Sequence, residues 1–233
     1  MTNIDQAELA RFEGVAHRWW DSSGDFRPLH DINPARTAFV AERIALRGAR
    51  VADLGCGGGL LTEAMAGQGA DVLGVDAGET AIQVARLHAL ESGSTARYRQ
   101  CTFESLLPEL AGTFDAVTCM ELLEHVPDPA ATIVTCAALL RPGGKLIAST
   151  INRSPRSYAL AVIAAEYVLQ LVPRGTHDYQ KFIRPHELAA MVRRAGLDVG
   201  EVVGMSYSPF THHCTIGGPP AVNYFLCADK VAT

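Results

Sequence analysis

The chain has 233 residues, of which 48% are hydrophobic, and a formal net charge of −5 at neutral pH. This length and composition suit a single α/β domain, residues 1–233, whose core needs no disulfide bridges, and argue against two full domains. The acidic balance argues against nucleic acid as the main partner, because phosphate binding requires a basic surface.

The cysteines and the first residues of the sequence indicate the cellular compartment of the protein. The six cysteines form no C-x-x-C pair, and several lie in apolar, strand-like runs. Free cysteines of this kind behave as small hydrophobic residues, which favours a reducing environment. The first residues have neither the basic region nor the apolar core of a signal peptide. We therefore expect a cytoplasmic protein.

The chain begins with a predicted helical lid, residues 1–47. A helix is expected over residues 6–20, a break near Gly24, and a second helix over residues 33–46. Strand and helix patterns then alternate. Seven strands are predicted at residues 50–55, 71–76, 96–101, 114–120, 145–150, 198–204 and 222–229. Such alternation predicts a doubly wound, mostly parallel sheet.

A glycine-rich turn, D-x-G-x-G-x-G from Asp53, joins the first predicted strand to a helix. Turns of this kind let a nucleotide-like ligand lie against bare backbone. A dinucleotide fingerprint beginning at Gly55 would have its third glycine at position 60, which is Leu60. Asp76 ends the next strand, at the spacing of about twenty residues at which a carboxylate meets ribose hydroxyls. Taken alone, Asp76 could be a helix cap and the glycines an ordinary turn.

The glycine pattern resembles the first motif of class I methyltransferases that use S-adenosylmethionine (SAM). Six blocks extend the resemblance over nearly the whole chain, to the bacterial ubiquinone biosynthesis O-methyltransferases. They are residues 17–21 (HRWWD), 28–36 (PLHDINPAR), 54–59 (LGCGGG), 85–89 (ARLHA), 118–128 (TCMELLEHVPD) and 175–178 (GTHD). The resemblance implies a Rossmann-like fold and SAM contacts at Arg36, Gly55, Asp76 and Met120. It also implies methylation of phenolic hydroxyls on polyprenylated ubiquinone precursors, 2-polyprenyl-6-hydroxyphenol and 3-demethylubiquinol.

Other cofactor contacts follow from the residue types. Arg36 suits the SAM carboxylate because guanidinium donates in a planar fork, the alternative being a surface salt bridge. A Cβ at Gly57 would hold a ligand off the backbone. Asp53 is expected to order the turn or meet the ligand's amino group, and Thr102 to lie near the adenine. The spacing of Met120 by itself indicates core filling, and only the resemblance places it in the pocket.

Phenol methylation requires removal of the phenolic proton, since a phenol has a pKa of about 10. Glu121, Glu124 and His125 stand at i, i+3 and i+4, and on a helical turn they would share one face. They could hold a divalent cation, which the resemblance identifies as Mg²⁺. Alternatively His125 acts alone as a general base, or the segment is only a capped helix with an acidic face. His177 is a weaker candidate base.

Residues 153–184 are predicted to be an insertion after the fifth strand. Within it, residues 158–172 are apolar but too short to span a bilayer. Basic residues flank this stretch: Arg153, Arg156, Arg174, Lys181 and Arg184. An apolar helix with basic ends suits peripheral contact with anionic lipid on the inner face of the cell membrane, where it would admit the substrate tail. The alternative is a lid helix packed on the core.

Three functions remain open from the sequence. The first is the quinone-pathway O-methyltransferase, and the second is a methyltransferase for another small hydroxylated metabolite. The third is a nicotinamide-dependent oxidoreductase or a non-catalytic nucleotide-binding module, against whose dinucleotide form Leu60 argues.

Overall fold

The computed structural model describes residues 3–24, 26–159 and 178–232. The helices are α1 (Gln6–Val15), α2 (Arg27–Arg43), α3 (Leu60–Gly67), α4 (Glu79–Ser92), α5 (Leu107–Leu110), α6 (Pro129–Leu139), α7 (Pro155–Ser157) and α8 (Pro185–Arg194). The strands are β1 (Arg50–Leu54), β2 (Asp71–Asp76), β3 (Arg97–Gln100), β4 (Phe114–Met120), β5 (Leu140–Ile151), β6 (Leu197–Ser208), β7 (His213–Ile216) and β8 (Asn223–Lys230).

These strands form one sheet in the order β3-β2-β1-β4-β5-β8-β6-β7. Strands β1 to β5 are parallel, whereas β8 runs antiparallel to both β5 and β6. The predicted Rossmann-like, mostly parallel class is confirmed, but the described strands number eight instead of seven. The additional strand is β7, which pairs with an extension of β6 beyond the predicted end at residue 204.

The strand order reverses at β1, which pairs with β2 on one side and β4 on the other. Leu54 lies opposite Val75 and Cys119, so the carboxyl ends of the three strands meet at one edge of the sheet. In open α/β sheets, ligands bind in the crevice at such a switch point. The glycine turn, Asp76 and the residues after β4 all begin at this edge.

Helices cover both faces of the sheet, and each face has its own buried cluster. One cluster includes Phe114, Ile133 and Leu188, where α6 and α8 pack on the sheet. The other includes Phe39 and Met65, where α2 and α3 pack on it. The sheet is therefore doubly wound, as predicted.

The lid helices differ from their predicted bounds. Helix α1 ends at Val15 and is followed by a single 3-10 turn, and α2 begins at Arg27, six residues earlier than expected. Pro28 occupies the first turn of α2, where its fixed φ is tolerated, and Pro34 lies inside the helix. The prediction had taken Pro34 as the helix start.

The insertion is described only at its two ends. Most of the apolar stretch 158–172, together with Arg174 and His177, lies outside the described residues. Within the described ranges, no helix is long and apolar enough to cross a membrane.

Candidate functional site

The glycine turn after β1 closes on β2 by backbone hydrogen bonds. The N–H groups of Gly55 and Cys56 donate to the Val75 carbonyl over 2.8 and 3.1 Å. Gly55 and Gly57 have φ values of 72° and 51°, in the left-handed region that disfavours side chains. The turn therefore needs glycine for its own conformation, whatever ligand it meets.

Asp76 holds this turn in place from the end of β2. Its carboxylate accepts the N–H of Gly57 over 3.0 Å and that of Gly78 over 2.8 Å. Burial raises the pKa of Asp76, and the negative charge of Glu13 adds to that rise. A carboxylate offers about four acceptor positions, so two remain for ribose hydroxyls. The N-cap of α4 is Gly78 and no side chain caps this helix, so Asp76 is not the helix cap considered from the sequence. Its ribose contact stays a prediction.

Asp53 links three elements beneath the turn. Its buried carboxylate accepts the hydroxyls of Thr62 on α3, over 2.6 Å, and Thr118 on β4, over 2.7 Å. Burial raises the pKa of this carboxyl group. The two contacts fit the turn-ordering role expected for Asp53, and contact with the ligand's amino group stays a prediction.

Arg36 reaches the same crevice from α2 and is only 5% exposed. Its guanidinium donates to Glu121 over 2.6 Å and to the Asn33 side chain over 3.0 Å. The Asn33 amide in turn donates to the Leu60 carbonyl at the start of α3. Within the described part of the chain, the buried Arg36 Nε has no hydrogen-bond partner. A buried donor left in this state fits an anionic ligand group. The salt bridge considered as the alternative for Arg36 is present, with Glu121, but it is buried and not at the surface.

Met120 and Thr102 lie at the same sheet edge. Met120 ends β4, is 6% exposed and belongs to the cluster of Phe39 and Met65. Thr102 precedes the 3-10 turn after β3, and its carbonyl accepts the Ser105 hydroxyl. Their contacts with a cofactor stay predictions.

The expectation that Glu121, Glu124 and His125 share one helical face is wrong. Glu121 has a left-handed φ of 47° and precedes a single 3-10 turn, Leu123–His125. Its carboxylate also accepts the Ser149 hydroxyl over 2.6 Å. A shared helical face would need several residues in one continuous helix.

The three side chains have separate partners. Glu124 is buried, which raises its pKa, and it accepts the Thr150 hydroxyl. His125 Nδ1 lies 3.0 Å from a Glu8 carboxylate oxygen. Among residues 3–24, 26–159 and 178–232, no group of three His, Cys, Asp or Glu side chains is placed to hold a metal ion. The geometry does not support the predicted metal site.

The two tryptophans of the lid lie on the glycine turn. A Cβ at Gly57 would be 2.2 Å from the Trp19 ring, so the indole packs directly on the backbone there. Trp20 donates to the Gly58 carbonyl over 2.9 Å and stacks on His88. The Trp19 indole N–H is buried and has no partner within the described residues. The two adjacent tryptophans are evident in the sequence, but the sequence alone could not predict that they contact the glycine turn.

A cavity of about 590 Å³ opens against residues 123–129, although His125 itself does not line it. Its lining is apolar along residues 123–129 and 182–183 and mixed along α8, where Glu187 lies among basic side chains. The apolar lining includes Leu123, Val126, Pro127, Phe182, Ile183 and Met191, and the basic lining is Arg153, Lys181, His186 and Arg194.

The sheet order and the glycine turn define a class I methyltransferase fold, and residues 29–202 match the family model described as a methyltransferase domain. A magnesium protoporphyrin IX methyltransferase from Synechocystis, solved with bound SAH, superposes with a TM-score of 0.67. It is 22% identical, and the match covers 96% of this chain and 99% of that one. A methyltransferase from Thermotoga maritima gives a TM-score of 0.69 at 19% identity, covering 97% and 100%.

Relatives with higher sequence identity show which family of methyltransferases the chain resembles. The ubiquinone biosynthesis O-methyltransferase of Pseudomonas aeruginosa is 55% identical over 232 residues, which is 100% of both chains. Those of Stutzerimonas stutzeri, 55% identical over 99% of both chains, and Azotobacter vinelandii, 54% over 97%, are similar to the same degree. The chain belongs to the ubiquinone biosynthesis O-methyltransferase family.

Proposed function

We propose that the chain transfers the methyl group of SAM to phenolic hydroxyls of polyprenylated ubiquinone precursors, 2-polyprenyl-6-hydroxyphenol and 3-demethylubiquinol. The observation that carries the proposal is full-length similarity, at 54–55% identity, to enzymes named for this activity. The crevice supports it, because a glycine turn, a carboxylate at the spacing typical of ribose contacts and a buried guanidinium lie at this edge, and the Nε–H of that guanidinium has no partner among the described residues.

Some residues of the crevice would bind the cofactor, and another would remove the phenolic proton. Gly55 and Gly57 would let the nucleoside lie against the backbone once the Trp19 ring, which packs on Gly57, has moved aside. Asp76 would accept its ribose hydroxyls, and Arg36 would bind its carboxylate. SAM itself supplies an already activated methyl group. His125 would take the phenolic proton through Nε2, because its Nδ1 is occupied by Glu8. The apolar wall of the neighbouring cavity would accept the first part of the prenyl tail.

Product analysis tests this function. The protein is incubated with methyl-labelled SAM and a short-chain prenylated catechol, and the extracted quinol is examined by mass spectrometry. We expect a labelled methyl ether on the ring. Labelling only of unprenylated catechols would favour the second function, methylation of another small metabolite. Calorimetric binding of NADH without binding of S-adenosylhomocysteine (SAH) would favour a nicotinamide enzyme.

We expect turnover to be independent of a divalent cation, and no step of the proposed mechanism uses Mg²⁺. Glu121 is paired with Arg36, Glu124 is buried against Thr150, and neither shares a site with His125. Turnover measured after exhaustive EDTA treatment and gel filtration should stay within about twofold of the untreated rate, since no transition-state charge is assigned to a metal. A loss that added Mg²⁺ restores would contradict this.

Peripheral membrane contact through residues 153–184 is proposed to deliver the substrate, at the inner face of the cell membrane. In the described part of this segment, Arg156 is exposed and Tyr158 is 45% exposed. Arg153, Lys181 and Arg194 line the cavity, where Arg153 pairs with Glu187 and Lys181 with Asp5. Basic side chains beside exposed aromatic surface suit anionic lipid.

Vesicle co-sedimentation tests the membrane contact. The unmodified protein should sediment with phosphatidylcholine vesicles that contain phosphatidylglycerol, and less with pure phosphatidylcholine. Arg156→Glu should weaken binding, because one juxtamembrane charge contributes about 1 kcal/mol. The matched control is Arg97→Glu, an exposed site on β3 at the opposite end of the sheet from the crevice. If the unmodified protein did not sediment with the phosphatidylglycerol vesicles, the proposed membrane contact would be contradicted.

A further inference from the structure

Helix α1 presents two side chains to His125. Glu8 Oε2 lies 3.0 Å from His125 Nδ1, and the Phe12 ring meets the imidazole edge-on at 5.1 Å and 89°. Positions i and i+4 lie on one face of a helix, so a single seating of α1 makes both contacts. Glu8 and His125 are each only 17% exposed. His125 is thus held by a helix 117 residues away in the chain.

The charges around Glu8 keep it ionised. The hydrogen bond with His125 lowers the pKa of Glu8 most, against the effect of partial burial, and Arg11 and Lys181 lower it further. Arg11 forms an ion pair with the same carboxylate, and the Lys181 ammonium is 3.7 Å from its other oxygen. A carboxylate therefore faces Nδ1 at neutral pH.

Hydrogen bonds and an ion pair hold helix α1 in place on both sides of the crevice. At its start, Asp5 accepts the Ala7 and Glu8 N–H groups and pairs with Lys181 over 2.9 Å. Near its end, Glu13 accepts the backbone N–H of Thr80, over 2.8 Å, and the Thr80 hydroxyl, over 2.6 Å. Thr80 stands in the first turn of α4, whose N-cap is Gly78, two residues after Asp76. Seating of α1 therefore joins the cofactor side of the crevice to the His125 side.

We propose that Glu8 is the positioning residue of His125, and that His125 can act as the general base only while helix α1 is packed in this position. A carboxylate on Nδ1 fixes the tautomer that carries its proton there, so that Nε2 can accept the phenolic proton. The same carboxylate stabilises the imidazolium that forms when the proton is transferred. This inference rests on the proposed function, in which His125 takes that proton.

Glu8→Gln tests the inference with minimal change of shape. The amide oxygen can still accept from Nδ1, but the negative charge is lost. We expect kcat to fall about 10²-fold, within the range typical of general-base catalysis, with KM for SAM and the SAH dissociation constant within about twofold of the parent values. Glu109→Gln is the matched control, because it removes one carboxylate charge from an exposed ion pair, with Arg99, that lies outside the lid and the crevice. Its kcat should stay within about twofold.

A double variant separates positioning from a structural role. If Glu8 acts through His125, adding Glu8→Gln to His125→Ala should lower kcat by less than about twofold further. A multiplicative loss, or a Glu8→Gln variant with parental kcat, would overturn the inference while leaving the methyltransferase function intact.

Imidazole ¹⁵N spectra of the SAH complex test the positioning without turnover. The unmodified protein should show His125 with the proton of its neutral form on Nδ1, and Glu8→Gln should change the Nδ1 shift. A proton on Nε2 in the unmodified protein would overturn the inference. If instead the unmodified protein methylates no phenol, the proposed function fails, and these spectra still decide whether Glu8 sets the tautomer.

Discussion

Replacing His125 with alanine is expected to lower kcat for phenol methylation by about 10²–10⁴-fold, the usual contribution of a general base. His125 follows β4 at the edge where the crevice lies, and its Nδ1 is paired with Glu8. A neutral phenol is a weak nucleophile, so the rate depends on the group that removes its proton. Initial rates with a prenylated catechol at saturating SAM measure the effect.

Binding and rate must be separated in this variant. The SAH dissociation constant should stay within about twofold of the parent value, because no cofactor contact is assigned to His125. His17→Ala is the matched control, since His17 is an exposed histidine of the same lid. A His125→Ala variant that keeps parental kcat would remove the general-base role and leave the binding residues unaffected.

Replacing Asp76 with alanine is expected to weaken SAH binding by at least about tenfold. The carboxylate accepts the Gly57 and Gly78 N–H groups, and in the proposed function it also accepts the ribose hydroxyls. A hydrogen bond to a charged group contributes about 1.5–3 kcal/mol, and 1.4 kcal/mol is a tenfold change in affinity. Isothermal titration with SAH measures the loss.

The matched control lies at the other end of the same strand. Asp71 begins β2 and pairs with Arg97 at the surface, where an ion pair is worth about 0–1 kcal/mol. Asp71→Ala should leave the SAH dissociation constant unchanged. If Asp76→Ala bound SAH as tightly as the parent, the ribose assignment would be misplaced.

The elements that the sequence predicted correctly are those whose signals are local. Strands β1 and β2 are short apolar runs, and the glycine turn between β1 and α3 requires left-handed backbone at Gly55 and Gly57. These features depend on residues that are close in the sequence, so the spacing of residue types is enough to predict them. Strand β7 gave no such signal, because a four-residue edge strand is too short for an apolar alternation to show.

The site residues that the sequence missed are held by distant partners. The Glu121 backbone N–H is bonded to Ser149 and its carboxylate to Arg36, which lie 28 and 85 residues away. The left-handed backbone at Glu121 breaks the helical spacing assumed for the Glu-x-x-Glu-His pattern. Glu8 reaches His125 across 117 residues. A periodic pattern carries no information on such pairs, and only the folded chain brings them together.

A crystal structure of the protein grown with SAH shows directly where the cofactor binds. We expect the nucleoside to lie on the 55–59 turn, with its ribose on Asp76 and its carboxylate within hydrogen-bond distance of the Arg36 guanidinium. The sulfur should then point towards His125, leaving room for a phenol between them. SAH bound at another place, or a crevice still filled by Trp19 at saturating SAH, would contradict the account.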